Sequence, residues 1–232
     1  MDKYLSDKIK VLSFVLIILV VFLHSYNLSK NTIDSFDLNH FIQNFISNGV
    51  SRIAVPLFFL ISGYLFFKDK PCSVLDFKNK FKKRFYSLVI PFVFWSSLGI
   101  LTFFLLQLIP NLTKFFTNKL IISFNYIDFL NTLVINPIPF QLWFIRDLIV
   151  LILISPLLNF ILKKFNLFFI CSIFILWFII PTFYIFTSES MLFFSIGASF
   201  SIRYQLITTF QIQNKYIKYM VYFYLILLIV KT

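Results

Sequence analysis

The chain has 232 residues, of which 59% are hydrophobic and 13% charged, with a mean hydropathy of +0.89 and a formal net charge of +12. So little polar surface cannot cover a water-soluble domain, and the composition places the chain in a bilayer. The basic residues sit between apolar runs rather than on one polar face. They therefore read as topology signals and not as a nucleic-acid surface.

Several apolar runs approach the roughly 20 residues that a helix needs to cross about 30 Å of hydrocarbon. The runs are continuous rather than alternating, which favours helices over a closed barrel. The expected fold is all-α: a polytopic transmembrane helical bundle of about seven spans, near residues 9–26, 50–67, 85–109, 141–162, 165–187, 190–209 and 216–230.

The first run follows Lys3, Lys8 and Lys10 but leads into "FLHSYNLSKN", which offers no small-residue cleavage site. It reads as a retained helix. After the second run, "FFKDKPCSVLDFKNKFKKRF" carries Lys68, Lys70, Lys78, Lys80, Lys82, Lys83 and Arg84, a cytoplasmic segment by the positive-inside rule. The N-terminus is then cytoplasmic too, and alternation puts Lys163, Lys164 and the Arg203 to Lys218 region on the same side. Two longer connections, 27–49 and 110–140, lie outside and hold Asp34, Asp37 and Asp128. Cys72 and Cys171 lack metal-ligand spacing and read as free thiols, and no metal site is expected.

Polar side chains inside spans cost about 2.5–3.5 kcal/mol on insertion scales, so those not needed for orientation are informative. His24 closes the first span. Ser13, eleven residues earlier, lies almost directly below it at about 100° per residue, and Lys10 sits one turn lower, about 40° off that stripe. His24 is either a neutral interfacial imidazole bonded to a loop carbonyl or a general base, since its free pKa of about 6.5 allows it to take a hydroxyl proton at neutral pH. His40 reads as a solvated loop residue.

In the second span Arg52, Pro56, Phe59 and Gly63 fall on one stripe. Gly63 allows close helix approach and Pro56 a kink. Arg52 runs against the positive-inside bias, and its fork suits a phosphate or carboxylate. The fourth span opens with "FQLWFIRDLIVLILISPLL". Arg146 and Asp147 are adjacent and point in different directions, while Trp143 is spaced to share a side with each. They either pair with other spans or form a polar pocket under an aromatic lid.

Four segments together resemble one family: "KVLSFVLIILVVFLHS", "VSRIAVPLFFLISGYLF", "KKRFYSLVIPFVFW" and "FQLWFIRDLIVLILISPLL". They are similar to the acyltransferase 3 family of integral-membrane acyltransferases, which includes O-acetyltransferases acting on bacterial cell-surface polysaccharides. The resemblance implies acetyl transfer from acetyl-CoA, or another acyl-CoA as co-substrate, to a hydroxyl of a glycan or lipid-linked sugar at the inner (plasma) membrane. It implies no permanently bound cofactor. Membrane lipid is an expected partner, nucleic acid is not, and nothing bears on oligomeric state.

On this resemblance His24 matches the family's catalytic histidine, with Arg52, Gln141, Trp143, Arg146 and Asp147 as substrate-binding candidates. The family commonly has an arginine where this chain has Ser13, which leaves Lys10 and Ser13 as the donor-side candidates. Gln141 stands where many members have a histidine. The chain reads as a single membrane-embedded domain over 1–232, truncated at its C-terminal end relative to the family. The alternatives are a non-catalytic transporter or glycan-export component, and an inactive N-terminal fragment.

Overall fold

The computed structural model describes residues 3–25, 38–69, 73–110, 112, 114, 116, 119–203, 218, 219, 222 and 224. Among these the chain is helical, and its only strand-like pairing is an isolated bridge between Thr182 and Thr187. Cys72, Asp34, Asp37 and nearly all of the expected seventh span lie outside the described residues, as does the His40 side chain. Two compact units are present, one of residues 1–67 with 193–232, the other of residues 68–192.

In the first unit, helix α1 (Lys3–His24) is ended by Ser25, whose amide and hydroxyl both donate to the Phe22 carbonyl at 3.2 and 2.9 Å. The connection anticipated over 27–49 is helical from Leu38 onward. Helix α2 (Leu38–Asn44), a π-turn (Phe45–Gly49) and a 3-10 turn (Val50–Ile53) run straight into α3 (Ala54–Phe67). Consequently the second span is Phe41–Phe67, longer than the sequence suggests, because the polar Ser47-Asn48-Gly49 stretch is taken up in the π-turn without ending the helix. Leu16, Ala54 and Ile61 form a buried seam between α1 and α3, with Ile9, Leu19 and Leu57 packed around it.

The last helix, α9 (Ser188–Arg203), contributes Phe193–Arg203 to this unit, and its crossing with α3 is set by two glycines. A Cβ on Gly63 would overlap the Phe194 carbonyl and lie 3.1 Å from the Ala198 nitrogen. One on Gly197 would overlap the Leu60 carbonyl and lie 3.0 Å from the Tyr64 nitrogen. Each glycine thus admits the other helix's backbone, which in lipid supplies the dispersion contact that water would otherwise drive. Gly63→Ala is expected to force the helices apart, with overpacking costs of about 1–3 kcal/mol. The check is a lower thermal midpoint in detergent than Ser62→Ala, which changes a half-buried neighbour on the same helix.

In the second unit, α4 (Val74–Arg84) begins at a capping box in which the Ser73 hydroxyl accepts from the Asp76 amide and the Asp76 carboxylate accepts from the Ser73 amide. It continues through a π-turn (Phe85–Val89) into α5 (Ile90–Gln107), whose Pro91 occupies the first turn where a proline costs nothing. The whole stretch Val74–Gln107 is one candidate span of 34 residues.

The outer connection anticipated over 110–140 is not simply a loop. Helix α6 (Tyr126–Leu130) starts at an Asn125–Asp128 capping box and extends through a π-turn to Ile135. After a break at residues 136–139 and a 3-10 turn (Phe140–Leu142), α7 (Trp143–Leu153) follows, and the two halves are bent by 66°. Their contacts descend along α5. The Ile121 amide donates to Gln107 at 2.8 Å, the Ser96 hydroxyl donates to the Leu133 carbonyl at 2.8 Å, and Pro139 packs where Gly99 has no Cβ, 2.6 Å from where one would stand. Ile149 and Ile152 then reach Leu88 and Val89. The first half thus packs along α5, and the break lies beside Gly99, near the middle of that helix.

Helix α8 (Ser155–Ile179) consists of two helical segments that meet at a kink at Phe165, directly after Lys163 and Lys164, where φ is −125° and ψ 31°. The boundary expected between spans at 162 and 165 coincides with this kink, and a further division falls at Ile154, ahead of Pro156. Among the described residues, three helices are long and apolar enough to cross a membrane, and counting the bent pair as one span gives up to four. α1, with Asp7, Lys8 and Lys10, and α9, described for 16 residues, do not reach that criterion on their own. The chain is an all-α helical membrane protein.

Candidate functional site

The candidate residues fall into two groups, one in each unit. In the first unit His24 is exposed at the C-terminal end of α1. Ser13 is half-buried on the same helix. Lys10 turns away from the Ser13–His24 stripe: its ammonium lies 3.1 Å from the Asp7 carboxylate, one turn toward the N-terminus. Arg52 is exposed on the 3-10 turn that opens α3, a turn that packs on α1, and it takes part in no ion pair among the described residues.

In the second unit the break in the broken span organises the site. Asn136, Pro137 and Pro139 end the helix because two prolines supply no amide and bias the residues before them away from helix. The freed carbonyl of Ile135 accepts from Arg146 Nη1, so a guanidinium caps the negative end of the upper half-helix. Arg146 Nε and Nη2 donate to Asp147 Oδ1 at 3.2 and 2.9 Å.

The adjacent side chains that the helical wheel sends apart therefore do meet. The wheel places Cβ atoms, and the long arginine stem is able to fold its fork back onto a short neighbouring carboxylate. N–H groups remain on both terminal nitrogens of Arg146 beyond these three bonds.

Asp147 is fully buried, and its second oxygen, Oδ2, accepts from the Thr187 amide at 2.8 Å and the Thr187 hydroxyl at 3.0 Å. Thr187 in turn caps α9, its hydroxyl accepting from the Ser190 amide at 3.1 Å. A carboxylate at a helix N-terminus also offsets the positive end of the macrodipole. Both Asp147 oxygens are thus engaged within the protein. Trp143, half-buried, opens α7 with its ring 6.4 Å from that of Phe144, and Gln141 is exposed on the turn before it.

On the upper side of the break is a cavity of about 550 Å³. Gln107, Lys119, Thr132 and Asn136 supply its polar groups and Phe103, Phe116 and Phe124 its aromatic walls. Lys119 is paired with Asp128. Such a mixture of amide, hydroxyl and ring faces suits a small polyhydroxylated ligand. Sequence reading did not single out this cavity, the break or Thr187. The Asn-Pro-x-Pro signature was the available signal. No group of three or more metal-ligating side chains occurs among the described residues.

An α-helical membrane protein with a broken span and polar groups at the break defines a class of enzymes and transporters whose chemistry is done within the bilayer. A family model described as "Acyltransferase domain" matches residues 7–230, and the chain belongs to that acyltransferase 3 family. It is also 25% identical over 179 residues to the succinoglycan biosynthesis protein ExoH of Rhizobium meliloti (strain 1021), an alignment covering 71% of this chain and 45% of that protein. The chain thus spans about half the length of the curated relative it matches. No solved structure matches it.

Proposed function

We propose that the chain transfers an acetyl group from acetyl-CoA to a hydroxyl of a cell-surface or exopolysaccharide sugar at the bacterial inner membrane. The observation that carries this reading is the acyltransferase family match over residues 7–230. The printed role of the relative in succinoglycan biosynthesis supports a polysaccharide acceptor.

In this reading the unprotonated ring nitrogen of His24 takes the proton of the sugar hydroxyl. The oxygen attacks the thioester carbonyl, and the tetrahedral intermediate collapses by breaking the carbon–sulfur bond. CoA leaves as a thiolate, which accepts the proton from the imidazolium, and the sugar keeps the new ester. Arg52 and the remaining N–H groups of Arg146 are the candidate donors to the developing oxyanion. Gln141, Trp143 and Asp147 are further substrate-binding candidates, and Lys10 and Ser13 are the donor-side candidates.

Deleting the gene and restoring it in its own host, with surface glycan analysed by mass spectrometry, tests the reading. Deletion should remove an acetyl mass increment from the glycan and restoration should return it. The broken span is the feature shared with transporters, and a glycan that keeps its acyl groups but fails to be exported would replace this reading with that one.

A further inference from the structure

We propose that the basic end of the Val74–Gln107 helix forms a binding site for an anionic phospholipid, separate from the acyl-transfer chemistry. At about 1.5 Å per residue, 34 helical residues extend roughly 51 Å, well beyond the hydrocarbon thickness of about 30 Å. The part that must leave the hydrocarbon is α4, which carries Lys78, Lys80, Lys82, Lys83 and Arg84 in its eleven residues.

A groove of about 620 Å³ lies where this basic segment meets the apolar one. Its long wall is a single helical stripe, Lys78, Lys82, Phe85 and Val89, that changes from charged to apolar along its length. Arg84 adds a third cation, and the facing wall is Ile149, Ile152 and Leu153 of α7.

No carboxylate lines the groove, and among the described residues Lys78, Lys82 and Arg84 take part in no ion pair; Lys80, which does not line it, is the one held by Asp69. Three cations without counter-ions above an apolar slot complement an anion carried on a hydrocarbon chain. From Lys82 to Val89 is roughly 10 Å along the helix, enough to seat a headgroup phosphate at one end and the start of an acyl chain at the other. The apolar length of the groove, Leu88, Val89, Ile149, Ile152 and Leu153, is a poor match for the pantetheine amides of CoA, since the lining amide, Asn79, lies at the basic end. Basic residues next to a span attract anionic headgroups, and a walled groove converts that attraction into a defined site.

The test uses the full 232-residue chain in non-ionic detergent, with lipid adducts counted by native mass spectrometry. The probes are phosphatidylglycerol and phosphatidylcholine of matched acyl chains, with glycerol 3-phosphate and CoA as competitors. Phosphatidylglycerol should bind at least tenfold more tightly than phosphatidylcholine and resist both competitors. The triple substitution Lys78→Gln, Lys82→Gln, Arg84→Gln should abolish that preference, and the single exposed substitution Lys78→Gln should weaken it in a protein that retains its fold. Equal binding of the two lipids, retention of the preference in the triple variant, or displacement by CoA or glycerol 3-phosphate would each overturn the proposal. These readouts are independent of glycan acylation, so loss of the acyltransferase reading leaves them unaffected.

Discussion

Replacing His24 with alanine is expected to lower glycan acylation by roughly a hundred- to ten-thousandfold, the usual contribution of a positioned general base. The imidazole is exposed at the end of α1, so the substitution removes no buried contact and the protein should remain folded and inserted. His24→Gln keeps size and hydrogen bonding without a titratable nitrogen, and it should be as inactive as alanine. The readout is the acetylated fraction of surface glycan by mass spectrometry, with equal protein in the membrane fraction verified beside it. Acylation that survives both substitutions would remove His24 from the chemistry and leave the interfacial role as its explanation.

His24, Lys10 and Ser13 also show how far a helical wheel reaches. Helix type, the end that His24 occupies and the close approach at Gly63 were all legible, because each depends on periodicity or on the absence of a side chain. The path of a long flexible side chain was not. Lys10 meets Asp7 rather than rising toward Ser13, since an exposed ammonium finds an acid one turn away at little entropic cost. Arg146 folds back on Asp147 for the same reason of reach.

The break at residues 136–139 was hidden by its composition. Two prolines, an asparagine and the polar stretch before them have the makeup of an exterior loop, and only contacts with Ser96 and Gly99 along α5 reveal the depth at which they sit. Lys163 and Lys164 were legible as a boundary: two helical segments meet at Phe165, the residue that follows them, although no loop separates the segments.

Asp147→Ala is expected to be the most destabilising single substitution in the second unit, by about 3–5 kcal/mol, the range found when one member of a buried ion pair is removed. Four bonds are lost together, two from Arg146 and two from Thr187. The guanidinium, with only 15% of its side chain exposed, then lacks its counter-ion. At the same time Thr187 loses the acceptor that orients it as the cap of α9, so the start of that helix should fray.

Asp147→Asn separates these effects, since an amide oxygen can still accept from Thr187 but cannot neutralise Arg146. It should fall between wild type and alanine. Pairing Asp147→Leu with Arg146→Met should recover much of the loss, because two matched apolar groups leave no buried charge behind, although the Ile135 cap is gone. Thermal midpoints in detergent for the two single and the double substitutions measure the coupling directly. Additive losses would mean that Arg146 and Asp147 act independently, and the adjacent pair would then be no more than two separate caps, one at the end of the broken helix and one at the start of α9.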